Sequence, residues 1–304
     1  MIQSSHIRGI ACMLLATGTF VANDSCMKLA LADAPPLQVL VMRGISASLW
    51  CLPVLLFFGH GRDLPRLFNR WVALRSLSEV AAIWSFIFAL DKMAIADVTA
   101  IVQISPLLVL LGSAMIWGDK IGNLRWVLIS AGIVGALLVA QPGSSLASPF
   151  AILGFATAIG AAGRDLASRK VDSGIPALVV TFSTILFVMV SAILGMVVFE
   201  DPVLPTARHI GLIAVAGGFL MCGQLFVFLA FRLAPARAVA PFTYSFLIWA
   251  VLSGLLLFGD IPNALAVTGM VLIAIAGLAI VLYEGRTRQG ELISQKHDAH
   301  VISN

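Results

Sequence analysis

Two pairs of opposite charges lie inside long apolar stretches of this 304-residue chain. Asp24 and Lys28 are four residues apart in one stretch, and Asp165 and Arg169 are four apart in another. Residues with this spacing share one face of a helix, so each pair can form an ion pair. The separation of Asp24 from Asp165 also equals that of Lys28 from Arg169, as a duplicated sequence would give. Because charges inside a membrane need a partner or water, these pairs predict gating or coupling groups of a transport path.

Other interpretations of the buried charges remain open at this point. The two pairs are also typical of charged side chains that reach the membrane interface from helix ends. Arg43, in the next apolar stretch, is a candidate partner for Asp24, either in a gate or as a static clamp between helices. Glu79 is either a proton-coupling group or the partner of Arg75, which precedes it by four residues.

A second set of residues has the chemistry to hold a flat, polar ligand by stacking and hydrogen bonds. Trp84 and Gln224 occupy equivalent positions in the two halves of the chain, and so do Gln103 and Thr243. Singly, each is typical of helix packing, but as a set at a common depth they favour a binding site. The predicted substrate-binding residues are Phe20, Asn23, Trp84, Gln103, Gln224, Thr243, Tyr244 and Trp249.

Ten apolar stretches carry these residues, and each is long enough to cross a bilayer as a helix. Apolar residues make up 60% of the chain and charged residues 11%, against about 25% charged residues in soluble domains. The predicted spans are 8–31, 37–58, 71–91, 95–117, 124–141, 149–170, 175–199, 210–231, 236–258 and 263–283. We therefore predict an all-α integral membrane protein with ten transmembrane helices.

The second half of the chain repeats the first. Residues 85–100 align with 225–240, and the Gly-Asp pair at 118–119 aligns with that at 259–260. Each copy holds five spans, an odd number, so the second copy enters the membrane from the opposite side. Such inverted repeats are typical of alternating access. The predicted units are a five-helix repeat over 8–141, a second over 149–283 and a cytoplasmic tail over 284–304.

The distribution of basic residues predicts the orientation. If both termini are cytoplasmic, only Lys28, Arg43, Lys92 and Arg208 of the 19 Lys and Arg residues fall toward the outer side. Basic residues concentrate in cytoplasmic loops, so we expect both termini in the cytoplasm. The net charge of +4 then indicates loops that face the anionic lipid bilayer rather than a nucleic acid. A homodimer is compatible with the sequence.

Several other classes of function are disfavoured. The sequence has no GxxxxGK[ST] phosphate loop, no CxxC pattern and no HExxH pattern, so we expect no cofactor and no metal. An intramembrane enzyme needs a nucleophile with a base, or two aspartates at one depth. Asp24 and Asp165 are predicted near opposite faces, so we expect no enzyme. A structural protein or a receptor would not need an inverted repeat.

Ten spans in two halves, Gly-Asp after the fourth and ninth spans, and glycine-rich fifth and tenth spans resemble the drug/metabolite transporter superfamily, in its EamA-domain family. Members usually have Glu after that Gly, so Asp119 and Asp260 are a departure. Residues 20–28 (FVANDSCMK) and 36–44 (PLQVLVMRG) further resemble the bacterial riboflavin importers.

The resemblance implies a secondary transporter of the cell inner membrane that moves a small metabolite by alternating access. Riboflavin uptake is the function that it favours. Export of amino acids or drugs and transport of S-adenosylmethionine are the alternatives.

Overall fold

The computed structural model describes the backbone of residues 2–118, 122–141, 148–172 and 174–302. Side chains are described for 6–118, 122–141, 148–172, 174–235 and 238–283. Asp119 of the first Gly-Asp pair lies outside the described residues, and so do the side chains of the predicted tail.

Helices account for nearly all of the described backbone, which contains no strand. The helices are α1 Ile2–Ala30, α2 Pro36–Phe57, α3 Arg70–Lys92, α4 Ile95–Val102, α5 Ser105–Trp117, α6 Asn123–Ala140, α7 Ala151–Ser168, α8 Ala177–Phe199, α9 Ala207–Leu233, α10 Ala236–Val239, α11 Ser245–Ser253 and α12 Ala264–Ile302. Two 3-10 segments, His60–Phe68 and Ala240–Tyr244, and a π-helical turn, Gly254–Phe258, complete them. The helix α12 continues through most of the tail, where the sequence shows no apolar periodicity.

Within the described residues, nine helical segments are long and apolar enough to cross a membrane. Eight match predicted spans closely, in α1, α2, α3, the α4–α5 segment, α6, α8, α9 and α12, and the ninth is Ala240–Phe258. The predicted sixth span corresponds to α7, which falls outside the nine because Arg164 and Asp165 reduce the mean hydropathy of its 18 residues. The all-α, multi-pass character is therefore confirmed, while the inverted ten-helix arrangement stays a prediction.

The fourth and ninth spans are each interrupted at or beside a proline. The fourth breaks after Val102 and restarts at Ser105, with Pro106 in the first turn of the new helix. Proline lacks an N–H and fits that first turn, so it favours the restart. The ninth is assembled from a 3-10 segment that contains Pro241, then α11, then the π-helical turn.

Four helix pairs form the largest contacts: α1 with α9, α3 with α7, α6 with α12 and α2 with α8. Smaller contacts join α2 to α9, α3 to α8, α1 to α11 and α5 to α7. Gly135 of α6 and Gly269 of α12 face each other so closely that a Cβ at Gly135 would lie 2.8 Å from the Gly269 carbonyl oxygen. Small residues of this kind let membrane helices pack backbone to backbone.

Glu200, at the end of α8, caps the first turn of α2. Its carboxylate accepts hydrogen bonds from the backbone N–H of Leu37 and of Gln38, at 2.9–3.1 Å. The Gln38 side chain exchanges two further hydrogen bonds with the backbone of Val203. These contacts hold α2 and α8 together at one end of the bundle.

Candidate functional site

A cavity of about 110 Å³ lies where α2, α3, α7, α8 and α9 meet. Its polar lining consists of Arg43, Arg75, Glu79, Arg164, Thr181, Thr184 and Gln224, and apolar side chains of α2, α3, α8 and α9 complete it. Three guanidinium groups and one carboxylate in so small a space are unusual between the helices of a membrane protein. This cavity is the strongest candidate for a substrate site.

Arg164 of α7 is the centre of the charged network. Its Nη1 lies 3.0 Å from Glu79 Oε2 on α3, and its Nε lies 2.8 Å from Asp165 Oδ1. The two helices approach closely here because α7 has Gly160 against α3, where a Cβ would lie 2.8 Å from the backbone nitrogen of Ala82. One guanidinium group therefore satisfies two carboxylates at the wall of the cavity.

Arg75 links α3 to both α7 and α8. Its Nε donates to Ser168 Oγ of α7 at 3.0 Å, and its Nη1 donates to Thr184 Oγ1 of α8 at 2.6 Å. The hydroxyl of Ser76 lies 3.3 Å from that of Ser183 and supports the same contact between α3 and α8. Neutral hydroxyls therefore hold Arg75 in place.

Arg43 of α2 differs from the other two arginines. Among the described residues, no hydrogen-bond partner is within reach of its Nε, although that atom is buried. Asp24 of α1 and Glu79 are the carboxylates close enough to interact with it electrostatically. Asp24 Oδ1 in turn accepts a hydrogen bond from Asn23 Nδ2 at 2.8 Å. The guanidinium of Arg43 can therefore receive an anionic group in the cavity.

The two predicted i, i+4 ion pairs are not formed among the described residues, and this part of the sequence interpretation is wrong. Lys28 Nζ donates to the Met93 carbonyl oxygen, lies 3.9 Å from Asp260 Oδ2 and stands 5.2 Å from the centre of the Phe258 ring. Partners on other helices are available to Lys28, whereas Asp24 bonds to its neighbour Asn23.

Arg169 and Glu79 follow the same pattern. The guanidinium of Arg169 lies 5.3 Å from the centre of the Trp117 ring, while Asp165 bonds to Arg164. The predicted partnership of Arg75 with Glu79 is also replaced, because Glu79 reaches across to Arg164. An i, i+4 spacing puts two side chains on one face, but a better placed group on a facing helix competes for each of them.

Only Gln224 of the eight predicted substrate-binding residues lines the cavity. Trp84 donates from Nε1 to Ser191 Oγ at 3.1 Å and packs against Gly195 of α8. Gln103 follows the last residue of α4, and the Thr243 hydroxyl donates to the Ala240 carbonyl oxygen at 2.7 Å. These three residues lie outside the cavity wall.

The remaining four predicted residues lie around α1, α11 and α12. Phe20 stacks on Phe246 with 6.4 Å between ring centres, and Trp249 Nε1 donates to the Leu14 carbonyl oxygen at 3.1 Å. Tyr244 is buried beside Gly277. Asn23 Oδ1 and the Tyr244 hydroxyl are buried and have no hydrogen-bond partner among the described residues. None of the four residues lines the charged cavity.

Sequence reasoning missed Arg164, Thr181 and Thr184 as lining residues. A signal for Arg164 was present, because it precedes Asp165 just as Asn23 precedes Asp24 in the first copy of the repeat. Both side chains donate to the aspartate that follows them, Asn23 to Asp24 and Arg164 to Asp165, each at 2.8 Å. No comparable signal marks the two threonines, which are ordinary helix residues in the sequence.

Residues 7–141 match the EamA-like transporter family. This match covers the predicted first repeat. A pseudopaline exporter of Pseudomonas aeruginosa is 28% identical over 93% of this chain and 97% of that protein. A riboflavin transporter of Vibrio cholerae is 25% identical over 95% of this chain and 98% of that protein. An S-adenosylmethionine uptake transporter of Rickettsia prowazekii is 25% identical over 97% of this chain and 98% of that protein.

A solved crystal structure also superposes on this chain, with a TM-score of 0.57 and 18% identity. The superposition covers 94% of this chain and 98% of the solved chain, so the likeness extends over the whole fold. The match over residues 7–141 and the apolar helices together indicate a multi-pass membrane protein whose first half is similar to EamA-like transporters.

Proposed function

We propose that the protein is a secondary transporter of the bacterial inner membrane that moves its substrate by alternating access. The charged cavity between α2, α3, α7, α8 and α9 is its substrate site. The observation that carries this proposal is a polar cavity, rich in charge, between five helices of a chain whose residues 7–141 match a transporter family. Charges between membrane helices are costly unless they are paired or serve a transported ligand or a coupling step.

The packing of the helices supports an inverted repeat. The predicted correspondence relates α1 to α7, α2 to α8, α3 to α9, the α4–α5 span to the span that contains α11, and α6 to α12. This exchange converts the α1–α9 contact into α7–α3, and it leaves α2–α8 and α6–α12 unchanged. It also converts α2–α9 into α8–α3, and α1–α11 into α7–α5. Every pair among the larger contacts therefore has a counterpart, as a pseudo-two-fold arrangement requires.

Two cation–aromatic contacts support a pair of gates. Lys28 stands 5.2 Å from the Phe258 ring centre, and Arg169 stands 5.3 Å from that of Trp117. The two cations occupy equivalent positions of the predicted repeat, and so do the two aromatic residues. In the predicted orientation, with both termini cytoplasmic, the first contact lies at the outer mouth and the second at the cytoplasmic mouth.

We assign Lys28 and Arg169 to these gates. Lys28 joins the end of α1 to the Met93 carbonyl at the end of α3 and to Asp260, which follows the π-helical turn. Opening of the outer mouth therefore requires Lys28 to release them. We assign Asp24, Arg43, Glu79 and Asp165 to the charged network of the cavity, where a bound substrate can change their pairing.

Riboflavin remains a candidate substrate because the riboflavin transporter of Vibrio cholerae aligns with almost the whole chain. S-adenosylmethionine is a second candidate on the same ground, from the uptake transporter of Rickettsia prowazekii. The S-adenosylmethionine relative favours uptake, whereas the pseudopaline exporter of Pseudomonas aeruginosa favours export.

The test is uptake of radiolabelled riboflavin, and separately of S-adenosylmethionine, by cells that neither make nor import the compound. We expect one of the two to accumulate, and Gln224→Ala to reduce its uptake because Gln224 lines the cavity. Ser85→Ala is the matched control, since the Ser85 hydroxyl donates to the Ala81 carbonyl of its own helix. Equal uptake by the Gln224→Ala variant and the parent would argue against this cavity as the path, and accumulation of neither compound would exclude both candidates for uptake.

A further inference from the structure

The three arginines of the cavity differ in whether their guanidinium groups already have hydrogen-bond or ion-pair partners. Arg164 contacts two carboxylates, and Arg75 donates to two hydroxyls. Arg43 lines the same cavity, yet its buried Nε has no partner among the described residues. An unsatisfied buried donor on a cation is costly, and a ligand that supplies the missing acceptor removes that cost. Arg43 is therefore the arginine that a ligand can engage without breaking an existing contact.

The balance of charge around the cavity limits the net charge of that ligand. Three cations, Arg43, Arg75 and Arg164, stand against three carboxylates, Asp24, Glu79 and Asp165. Their formal charges cancel. A head group with a net charge would leave one charge of the cavity uncompensated in a membrane interior, whereas a head group that carries one positive and one negative group leaves the sum unchanged. The balance favours a zwitterion.

The cavity offers one free group for each end of such a ligand. A guanidinium binds a carboxylate through two parallel hydrogen bonds, which suits Arg43. Glu79 uses Oε2 for Arg164, so its other oxygen can accept from an ammonium group. Arg43 and Glu79 line one cavity and lie within electrostatic range of each other. At about 110 Å³ the cavity is smaller than the roughly 300–1,000 Å³ that encloses a whole drug-sized ligand, so it holds a head group.

We infer that Arg43 binds the carboxylate, and Glu79 the ammonium group, of a substrate with an α-amino acid head group. Thr181, Thr184 and Gln224 supply neutral hydrogen-bonding groups around it. This inference rests on the proposed transport function and specifies the class of its substrate. It separates the two candidates, because S-adenosylmethionine carries such a head group and riboflavin does not.

The experiment compares matched ligands on the purified full-length protein. The probes are S-adenosylmethionine and the twenty common L-amino acids, each beside its decarboxylated amine, and binding is measured by the shift in thermal unfolding and by competition. We expect at least one acid to bind while its amine does not. We expect Arg43→Gln to weaken that binding about 10-fold or more, as loss of hydrogen bonds to a charged group predicts. Arg208→Gln is the control, because Arg208 pairs with Asp33 in an exposed contact outside the cavity.

The acid-against-amine comparison needs no variant, so it holds even if Arg43→Gln fails to fold. Arg43→Lys, which keeps the charge and loses the two-pronged geometry, is then expected to bind with intermediate affinity. If no acid binds more tightly than its amine, or if Arg43→Gln binds the acid as the parent does, the inference is wrong. If the protein takes up riboflavin and the Arg43→Gln variant does so equally well, the inference of a zwitterionic head group is wrong, while the proposed transport function stands. Failure of the protein to transport any probe in liposomes would count against the transport function itself.

Discussion

Glu79 and Arg164 join the two halves of the chain across the wall of the cavity, with 3.0 Å between Oε2 and Nη1. Glu79 is on α3, and Arg164 is on α7, which also carries Asp165. The two paired side chains keep only 22% and 29% of their surface exposed. A contact between the predicted repeats at the cavity is a natural point at which substrate binding and the motion of the two halves can be coupled.

Removal of Arg164 should destabilise the protein more than removal of Glu79. Arg164→Gln leaves two carboxylates without their cation, whereas Glu79→Gln leaves Arg164 still paired with Asp165. Because both groups are partly exposed, we expect Arg164→Gln to cost about 1–3 kcal/mol, less than the loss of a fully buried pair. Unfolding of both single variants and the double variant in detergent gives the coupling energy, and strictly additive effects would show that the pair contributes none.

The cap that Glu200 provides to α2 should be measurable as stability. Glu200→Gln keeps the shape of the side chain but replaces a charged acceptor at the N–H groups of Leu37 and Gln38. We expect a loss of about 1 kcal/mol in the free energy of unfolding. Asp201→Asn, at the exposed next residue, is the control and should have little effect. Equal stability of the two variants would contradict a capping role.

The contact between α6 and α12 should be intolerant of added volume. A Cβ at residue 269 would overlap the Gly135 carbonyl oxygen, so Gly269→Ala must push the helices apart. We expect a loss of about 1–3 kcal/mol, as for other overpacked sites. Gly211→Ala in α9 is the matched control, because nothing lies within 4 Å of its Cβ position and alanine favours the helix. A similar unfolding temperature for the two variants would contradict close packing at Gly269.

Most of the helix positions could be predicted from the sequence because a membrane span is a local property of the chain. The second span was predicted at 37–58 and runs from Pro36 to Phe57. The fourth span breaks next to Pro106, a residue type that interrupts helical hydrogen bonding, whereas the π-helical turn Gly254–Phe258 was not predicted, since it interrupts a uniformly apolar stretch. Apolar composition determines that a segment crosses the membrane, but it does not determine which carbonyl each N–H will contact.

The charged residues of the site could be found from the sequence, but their partners could not. Charges in apolar stretches are conspicuous, and this is how Asp24, Arg43 and Glu79 were identified. Their partners depend on which helices are neighbours, and α3 meets α7 only in the folded bundle. The eight uncharged candidates were chosen by depth and chemistry alone. Only Gln224 lines the cavity, because depth along a helix does not specify the face on which a side chain lies.

Loss of Lys28 should open the outer mouth of the cavity. Lys28→Met removes the contacts with the Met93 carbonyl and Asp260, so the closed state loses interactions that the open state does not need. With the native cysteines replaced and Ala47→Cys introduced into the cavity lining, we expect a membrane-impermeant maleimide to label intact cells several-fold faster in the Lys28→Met background. Lys92→Met is the matched control, since Lys92 lies at the same end of the bundle and pairs with its neighbour Asp91 at 2.9 Å. Unchanged labelling in Lys28→Met, or equal acceleration in both variants, would show that Lys28 does not hold the outer mouth closed.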